Sequence, residues 1–184
     1  MEGFLYPDTY QLDGDRITPK AAIEQMLGRF EQVALPVYQQ NQKNTKLSLK
    51  EWVTLASIVE KESVVASERK RIAGVFTNRL NKGMKLGADP TVEYALGIRQ
   101  TKEKPLTFKQ VETPSPYNTY VNVGLPPTPI AAPGLPSLEA TLAPENTEYL
   151  YFMARYDGTH IFSRTQAEHD AAVAQVDRQL RSNQ

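Results

Sequence analysis

Two glutamates, Glu60 and Glu62, stand at the end of a segment whose apolar residues recur at helical spacing. Projected at about 100° per residue, the apolar stripe is centred near Trp52, Ala56 and Val59, and the glutamates fall on its two margins. A carboxyl on such a margin can be partly desolvated, which raises its pKa and lets it keep a proton near neutral pH. A general acid for glycosidic bond cleavage requires such a proton. The alternative is that both side chains are solvated and pair with a lysine or arginine, and spacing alone does not choose between the two glutamates.

The composition removes most other catalytic chemistries. There is no cysteine, which excludes thiol catalysis, disulfides and thiolate metal sites. The two histidines, His160 and His169, are too few for a three-imidazole zinc site, and neither neighbours a glycine-flanked serine. We therefore interpret both as surface or packing residues. No glycine-rich loop precedes a helix with a lysine, so a phosphate cradle is absent as well. The sequence predicts a site without metal or cofactor, built from carboxylates, hydroxyls and amides.

Charge and hydropathy indicate a soluble domain. Lysine and arginine total 21, as do aspartate and glutamate, so no net charge draws the chain to nucleic acid or to an acidic membrane surface. No apolar run approaches the roughly 20 residues that span a bilayer, and the first residues do not resemble a signal peptide. With 184 residues, the chain has the length of one ordinary domain, either an enzyme or a binding module.

Helix-capping signals place four main helices. A side-chain oxygen at an N-cap satisfies a free backbone N–H, proline suits the first helical position, and a glutamate three residues on completes a capping box. The first three helices occupy the part of the chain before about Gly83, and the fourth follows the last strand. The capping residues are, in chain order, Thr18 with Pro19, Ser48 with Glu51, Ser67, and Thr165 with Glu168.

Strands are predicted only near the two ends. Residues 4–12 form a short β-like run closed by a turn signal at 13–15. Residues 149–154 and 160–163 flank a second turn signal at 156–159 and predict a hairpin. Together with the helices, these segments predict an α+β fold in which helices dominate.

A long proline-rich segment lies between the helical part and the hairpin. Nine of the thirteen prolines fall between Pro105 and Pro144, which excludes regular helix or central strand across 113–120 and 124–129. Between Pro114 and Pro136 there are two tyrosines and no charged residue, whereas disordered segments are rich in charge and poor in aromatics. We predict an ordered loop, and ordered long loops are often functional.

An ordered series of motifs resembles the endolytic murein transglycosylases, the MltG or YceG-like family. The motifs follow one another over nearly the whole chain. They are Glu2-Gly3-Phe4-Leu5-Tyr6-Pro7-Asp8-Thr9-Tyr10, Leu55-Ala56-Ser57-Ile58-Val59-Glu60-Lys61-Glu62-Ser63, Ala66-Ser67-Glu68-Arg69, Val75-Phe76-Thr77-Asn78-Arg79-Leu80, Gly83-Met84-Lys85-Leu86, Asp89-Pro90-Thr91-Val92, Pro116-Tyr117-Asn118-Thr119-Tyr120, Gly124-Leu125-Pro126-Pro127 and Ile130-Ala131-Ala132-Pro133-Gly134.

The resemblance implies one helix-rich, lysozyme-like catalytic domain over residues 1–184. Family members also carry a preceding membrane anchor and a LysM-like subdomain. Neither is in this sequence, so we expect it to be the catalytic part of a longer protein. The family works in the bacterial cell envelope, anchored at the inner membrane with the catalytic domain in the periplasm or on the outer face. The implied partners are peptidoglycan glycan strands and, at the membrane, peptidoglycan synthases.

The resemblance also implies a reaction. The family cleaves the β-1,4 bond between N-acetylmuramic acid and N-acetylglucosamine within strands, and a 1,6-anhydro ring forms because the C6 hydroxyl of the sugar attacks instead of water. One glutamate can then serve as acid and afterwards as base. We assign this role to Glu62, because the Glu62-Ser63 pair is similar to the catalytic pair of other lytic transglycosylases. Glu60 remains the alternative.

Other residues in the family motifs are candidates for binding substrate. Asp89 and Thr91 are two of them, although we favour Asp89 as the N-cap of a short helix that Pro90 opens. If Asp89 is instead a second catalytic carboxylate, the protein is a muramidase hydrolase. The string Tyr117-Asn118-Thr119-Tyr120 suits sugar recognition, with rings on pyranose faces and amides on hydroxyls, or it is simply a turn.

Two further questions stay open at this point. Arg79 and Lys85 could meet the carboxylates of the peptide stems, but we favour solvated positions for both. A catalytically silent glycan-binding or scaffold domain with the same fold is the alternative to an enzyme.

Overall fold

The capping signals explain where most helices begin. In the computed structural model, which describes residues 1–11, 14, 18–101, 103–155 and 157–182, a helix-rich α+β fold is observed, as predicted. The elements are α1 (Pro19–Asn41), α2 (Leu49–Glu62), α3 (Arg69–Asn81), α4 (Asp89–Leu96), α5 (Phe108–Val111), α6 (Leu135–Leu142), β1 (Tyr151–Ala154), β2 (His160–Ser163) and α7 (Gln166–Ser182). None of the helices in these ranges is long and apolar enough to cross a membrane.

Helix α2 is the centre of the molecule. Its capping box is confirmed, because the Ser48 hydroxyl accepts a hydrogen bond from the N–H of Glu51 and the Glu51 carboxylate accepts one from the N–H of Ser48. Every residue from 52 to 59 is buried, so the helix is covered on all faces and not only along one stripe. Each large apolar side chain buried in this way stabilises the fold by about 1.5–3 kcal/mol.

Helices α3, α4 and α6 pack against α2, and α1 contacts it through a shared cluster of buried side chains. The Trp52 indole lies in the interior, where it stacks on Tyr38 with ring centroids 5.1 Å apart and donates a hydrogen bond of 2.9 Å to the Leu138 carbonyl in α6. On another side of α2, the Ser57 hydroxyl accepts a bond of 3.0 Å from the Ile130 N–H. These bonds connect the proline-rich segment to the core, so the segment is packed and ordered as predicted.

Three of the four predicted cap residues are observed, and Ser67 is not. Thr18 caps α1 with Pro19 in its first turn, as predicted. Ser67 does not cap α3, because residues 66–68 form a 3-10 turn and α3 begins at Arg69. At α7 the Thr165 hydroxyl accepts from the Glu168 N–H, but the Glu168 carboxylate accepts from the Arg164 N–H, one residue before the position that a capping box requires.

The predicted strand at residues 4–12 is wrong. Residues 4–11 run without regular structure along α1. The backbone N–H of Tyr6 donates to the Met26 carbonyl at 3.3 Å, and the centroids of the Phe4 and Phe30 rings lie 5.0 Å apart. A strand needs a neighbouring strand to satisfy its backbone groups, and here a helix takes that place. Residue 12 and most of the turn signal at 13–15 lie outside the described residues.

The proline-rich segment contains two helices that the proline pattern did not predict, α5 and α6. The stretches 113–120 and 124–129 are neither helix nor strand, as expected. Helix α6 uses a proline at its start, where the missing N–H costs nothing. It packs on α2 and α3, which makes it part of the core.

The hairpin prediction is confirmed. Strands β1 and β2 pair antiparallel, with Tyr151 opposite Ser163 and Ala154 opposite His160. The Phe152 ring meets the Phe76 ring of α3 edge-on, with centroids 5.6 Å apart, and α7 packs against both strands. Residue 156, in the turn, lies outside the described residues. The hairpin thus lies over the end of α3 and forms one wall of the cleft described next.

Candidate active site

A cleft of about 870 Å³ opens where α2 ends. Residues from several helices, from both strands of the hairpin and from the connecting segments line it, although they are far apart in sequence. They include Glu62 from α2, Arg79 from α3, Asp89 from α4, Tyr120 from the proline-rich segment, His160 from β2 and His169 from α7. The packing of α3, α4 and the hairpin around the end of α2 brings these side chains together.

The structure separates the two glutamates. Glu62, the last residue of α2, is partly buried in the cleft wall. Burial is the largest of the effects that raise the pKa of its carboxyl from 4.5 to about 8, and the negative charges of Asp89 and then Glu93 contribute to the same rise, while the positive charge of Arg79 opposes it. A carboxyl with this pKa holds its proton at neutral pH, which a general acid requires.

Glu60 faces the core side of α2. Its Oε2 accepts a hydrogen bond of 2.5 Å from the Ser137 hydroxyl and one of 3.3 Å from the Gly134 N–H. These donors lie at the start of α6, so Glu60 fixes this helix against α2. Glu60 is not among the residues that line the cleft.

Asp89 is not an N-cap, which corrects the sequence interpretation. Helix α4 begins at Asp89 itself, Ala88 occupies the cap position, and no side chain caps the helix. The two Asp89 carboxylate oxygens instead accept hydrogen bonds of 2.6 Å from the Tyr120 hydroxyl and 2.9 Å from the Gln100 amide. These contacts, which draw the carboxylate away from its own helix, bring Asp89 to the cleft wall beside Glu62.

Arg79 is largely buried, and the prediction of a solvated position is wrong for this residue. Its Nε and Nη1 donate to the carbonyls of Leu150 at 2.6 Å and Leu86 at 2.5 Å, and its guanidinium lies 5.1 Å from the Tyr151 ring centroid. Burial lowers the pKa of Arg79. The hairpin covers this end of α3, which helical periodicity could not reveal. Lys85 is exposed at the cleft edge.

Gly87 provides the space that Arg79 and Tyr120 occupy. Its φ is +56°, and a Cβ at this position would lie 3.2 Å from Arg79 Nη1 and 3.4 Å from Tyr120 Cε1. Its N–H donates to the Thr119 carbonyl at 3.1 Å. A glycine is needed here for both its backbone conformation and the close approach of two cleft side chains.

Of the string 117–120, only Tyr120 lies in the cleft wall. Burial and the Asp89 carboxylate raise the pKa of Tyr120, so its hydroxyl remains a donor. Tyr117 packs against Tyr94 with ring centroids 4.8 Å apart and bonds through its hydroxyl to Thr128 at 2.8 Å. Tyr117 is not among the cleft-lining residues.

Three other candidates form the scaffold beneath the cleft. Asn118 is 1% exposed and donates through Nδ2 to the carbonyls of Val111 and Thr113, each at 2.8 Å. The buried hydroxyls of Thr91 and Thr119 bond to each other at 2.9 Å. They connect the proline-rich segment to α4 and hold Tyr120 next to Asp89. These three residues therefore have no exposed group that could contact a substrate.

Both histidines line the cleft, which sequence reasoning missed. His160 is 8% exposed and its Nδ1 lies 2.8 Å from Glu68 Oε2, so the packing interpretation holds for it in part. The His169 ring stacks on Tyr151 with centroids 5.3 Å apart. The predicted hairpin and last helix are consecutive elements and carry one histidine each. This was the feature of the sequence that could have indicated that the two histidines lie close together. No cluster of three or more potential metal ligands occurs in the described part of the chain.

Comparisons with known proteins agree with this architecture. The model of the YceG-like family matches residues 1–175. The chain is 41% identical over 172 residues to the endolytic murein transglycosylase of Bacillus subtilis, and the match covers 94% of this chain and 47% of that protein. It is 35% identical over 178 residues to the protein of the same name from Streptococcus pneumoniae, covering 95% of this chain and 32% of that protein.

A solved structure is also similar. The crystal structure of a yceG-like protein from Listeria monocytogenes superposes with a TM-score of 0.84 at 44% identity, covering 92% of this chain and 54% of the other. The chain therefore spans about one third to one half of the length of these relatives.

Proposed function

Because this chain belongs to the YceG-like family, we propose that it cleaves the glycan strands of peptidoglycan internally, as a lytic transglycosylase with Glu62 as its acid and base. The proposal rests on the position of Glu62 in the cleft, where burial of its carboxyl and the nearby negative charges raise the pKa to about 8. The relatives named endolytic murein transglycosylase support the choice of substrate.

In the first step, Glu62 acts as a general acid. Its protonated carboxyl gives a proton to the oxygen of the β-1,4 bond between N-acetylmuramic acid and N-acetylglucosamine. As this bond breaks, positive charge develops at C1 of the muramic acid residue, in an oxocarbenium-like transition state. The acetamido group of the same sugar stabilises that charge. At pH 7 most Glu62 carboxyls are protonated and can start the reaction.

In the second step, the Glu62 carboxylate acts as a base. It accepts the proton of the C6 hydroxyl while the C6 oxygen bonds to C1 and closes the 1,6-anhydro ring. The proton lost in the first step is recovered in the second, and no water is consumed. One carboxyl therefore completes the cycle, whereas hydrolysis requires a second carboxylate that activates water or attacks C1.

The neighbours of Glu62 fit these two roles. Asp89 favours the protonated form before bond cleavage, and Arg79 supplies positive charge when Glu62 is ionised. Arg79 is held in place by two backbone carbonyls, so its charge stays at the cleft wall. A volume of about 870 Å³ lies near the upper end of the range for ligand sites, about 300–1,000 Å³, and can accommodate a segment of glycan.

A muramidase is the second candidate, because Asp89 places another carboxylate in the same cleft. Both oxygens of Asp89, however, already accept hydrogen bonds from Tyr120 and Gln100. Each oxygen keeps a second lone pair, but the two bonds hold the Asp89 carboxylate against the protein, so this arrangement favours the transglycosylase.

The products of digestion test the proposal. Purified protein is incubated with uncrosslinked glycan strands, and the new chain ends are weighed by mass spectrometry. We expect 1,6-anhydromuramyl ends, lighter by one water than reducing ends, and fragments of intermediate length from internal cleavage. Reducing ends would indicate the muramidase, and intact strands that bind the protein would indicate a silent binding domain.

We place this activity in the bacterial cell envelope, where the substrate lies. Anchoring at the inner membrane, with the cleft on its outer side, and work beside the peptidoglycan synthases are part of the same proposal. Both rest on the family resemblance alone. The experiment is co-purification of the full-length protein with the synthases from solubilised membranes.

A further inference from the structure

A partly buried carboxylate, that of Glu68, contacts His160 at the cleft. His160 Nδ1 lies 2.8 Å from Glu68 Oε2, and the backbone N–H of His160 donates to Glu68 Oε1 at 3.3 Å. Both carboxylate oxygens therefore contact one residue, 92 positions away in the chain. The imidazole also packs against two neighbouring rings, with centroids 5.3 Å from Phe152 and 6.1 Å from Phe162. These contacts fix the orientation of the ring.

The second ring nitrogen of His160 is left for a ligand. With Nδ1 paired to Glu68, Nε2 is the remaining hydrogen-bonding atom of the imidazole. Within the described residues no hydrogen bond engages Nε2, and it is not one of the fully buried polar atoms without a partner. His160 lines the same cleft as Glu62, so Nε2 is accessible from that cleft.

We propose that His160 is a substrate-binding residue whose Nε2 hydrogen-bonds a hydroxyl or acetamido group of the glycan backbone, with Glu68 as its positioning residue. This inference rests on the proposed function, in that it takes the ligand to be a peptidoglycan strand. It assigns a binding role to His160 and a positioning role to Glu68, two residues that the mechanism above does not use.

The surroundings of His160 favour a neutral sugar group over a carboxylate of the peptide stem. The Glu68 carboxylate offsets the charge of a protonated imidazole, so an anionic ligand would gain little here. The Phe152 ring lies in the cleft wall beside His160 and offers an apolar surface to a pyranose face. The positive charges in the cleft wall that suit stem carboxylates, Arg79 and Lys85, lie on α3 and in the segment after it.

Two amide substitutions separate the two nitrogens. The amide nitrogen of asparagine takes about the place of Nδ1, and that of glutamine takes about the place of Nε2. His160→Asn therefore keeps the bond to Glu68 and loses the group in the cleft. His160→Gln keeps a polar group in the cleft and loses the anchor.

Binding is measured in the Glu62→Gln background, so that strands are not cleaved. Glycan strands freed of peptide stems by an amidase are the probe, and Kd is determined by calorimetry. We expect His160→Asn to weaken binding about tenfold, as one lost hydrogen bond to a polar ligand implies, with an unchanged melting temperature. His160→Gln should bind more tightly than His160→Asn and melt at a lower temperature.

The role of Glu68 has its own readout. Glu68→Gln keeps an acceptor for Nδ1–H and should stay within about twofold of the Kd before substitution, whereas Glu68→Ala should weaken binding as much as His160→Asn. Glu145→Ala is the matched control, because Glu145 pairs with Arg71 of α3 at 2.8 Å and does not line the cleft. Its Kd should not change.

An unchanged Kd in His160→Asn would overturn the inference. So would a loss of affinity seen with stem-bearing strands and absent with stem-free strands, because His160 would then contact the peptide. Catalytic failure is distinguishable, since the binding measurement needs no turnover. If the protein produces no anhydro ends and His160→Asn still weakens binding, the proposed function fails and the inference stands.

Discussion

Glu62 and Asp89 face one cleft from the last residue of α2 and the first residue of α4, and the charge of Asp89 adds to burial in raising the pKa of Glu62. The Asp89 carboxylate is itself held by Tyr120 and Gln100. The fold thus places a fixed negative charge near the carboxyl that, in the proposed mechanism, must keep its proton. Predictions about pH follow from this pair.

Replacement of Asp89 by asparagine should shift the pH profile of cleavage. A general acid is active while protonated, so activity falls as pH rises through the pKa of Glu62, about 8. Without the Asp89 charge this pKa is lower, and the descending limb of kcat/KM should move to lower pH. The measurement is kcat/KM from pH 5 to 9.

The exposed Glu139 in α6 offers a charge-matched control, because Glu139→Gln removes a carboxylate outside the cleft. Its descending limb should coincide with that of the unmodified protein. If the descending limb of Asp89→Asn also coincides with that of the unmodified protein, the Asp89 charge does not affect the pKa of Glu62.

The same pKa predicts a cost in stability. The folded pKa of Glu62 lies above its ordinary value of 4.5, so the folded protein binds more protons than the unfolded chain between these values. Stability should therefore fall as pH rises from about 4.5 to 8. Glu62→Gln stays neutral and should be more stable at pH 8 by about 1–3 kcal/mol, discounted for water in the cleft.

Urea unfolding at pH 5, 6.5 and 8 checks this prediction. The two proteins should have similar free energies of unfolding at pH 5 and diverge towards pH 8. Parallel curves would mean that the Glu62 carboxyl ionises as readily in the fold as in the unfolded chain.

Local signals predicted α1, α2, α3, α4 and α7, missed α5 and α6, and failed where tertiary contacts compete. The Ser48 and Glu51 capping box involves neighbours in sequence, so it could be read directly. Asp89 has the same kind of signal, yet its carboxylate bonds to Tyr120, 31 residues away, and not to its own helix. Residues 4–11 have strand-like composition and no strand beside them. In each failure the missing information was which distant segment lies next to the residue.

Two glycines form a matched pair for testing the cleft wall. Gly87 and Gly83 both have positive φ, +56° and +63°, but a Cβ at Gly87 meets Arg79 and Tyr120, whereas one at Gly83 meets nothing within 4 Å. Alanine at either site should lower the free energy of unfolding by about 1–2 kcal/mol through backbone strain. Only Gly87→Ala should also reduce kcat/KM, because it displaces two cleft side chains.

The comparison uses thermal or urea unfolding together with the rate of formation of new chain ends. Equal losses of activity in the two variants would show that backbone strain lowers activity, and not the contact of the new Cβ with Arg79 and Tyr120. Full activity in Gly87→Ala would contradict the geometry of the wall.

Glu60 should matter for stability and not for chemistry. Its carboxylate accepts from the Ser137 hydroxyl at 2.5 Å, and loss of such a charge-assisted bond costs about 1–3 kcal/mol. Glu60→Gln and Ser137→Ala should each lower the free energy of unfolding, and the double variant should lose less than their sum. Cleavage rates should stay within about twofold of the unmodified protein. Loss of cleavage in Glu60→Gln with normal folding would favour Glu60 as the catalytic acid.

The site could be predicted only in part. The pattern of α2 indicated two candidate acids, and the family resemblance favoured Glu62. Periodicity could not separate them, because α2 is buried on all faces and the difference between the glutamates depends on which helix lies opposite each. Glu60 meets α6, which proline content concealed, and Glu62 meets the cleft. His160 lies in the cleft wall, where it pairs with Glu68. This contact spans 92 residues and has no local signature in the sequence.

In the proposed mechanism one carboxyl, Glu62, transfers the proton in both steps, and the rate of strand cleavage by Glu62→Gln shows whether it does. Uncrosslinked strands are digested at pH 7 and anhydro ends are counted against time for the variant and the unmodified protein. Removal of the acid and base should slow end formation by about 10²–10⁴-fold, while strands still bind. If Glu62→Gln forms anhydro ends at a rate within tenfold of that of the unmodified protein, Glu62 is not the group that transfers the proton.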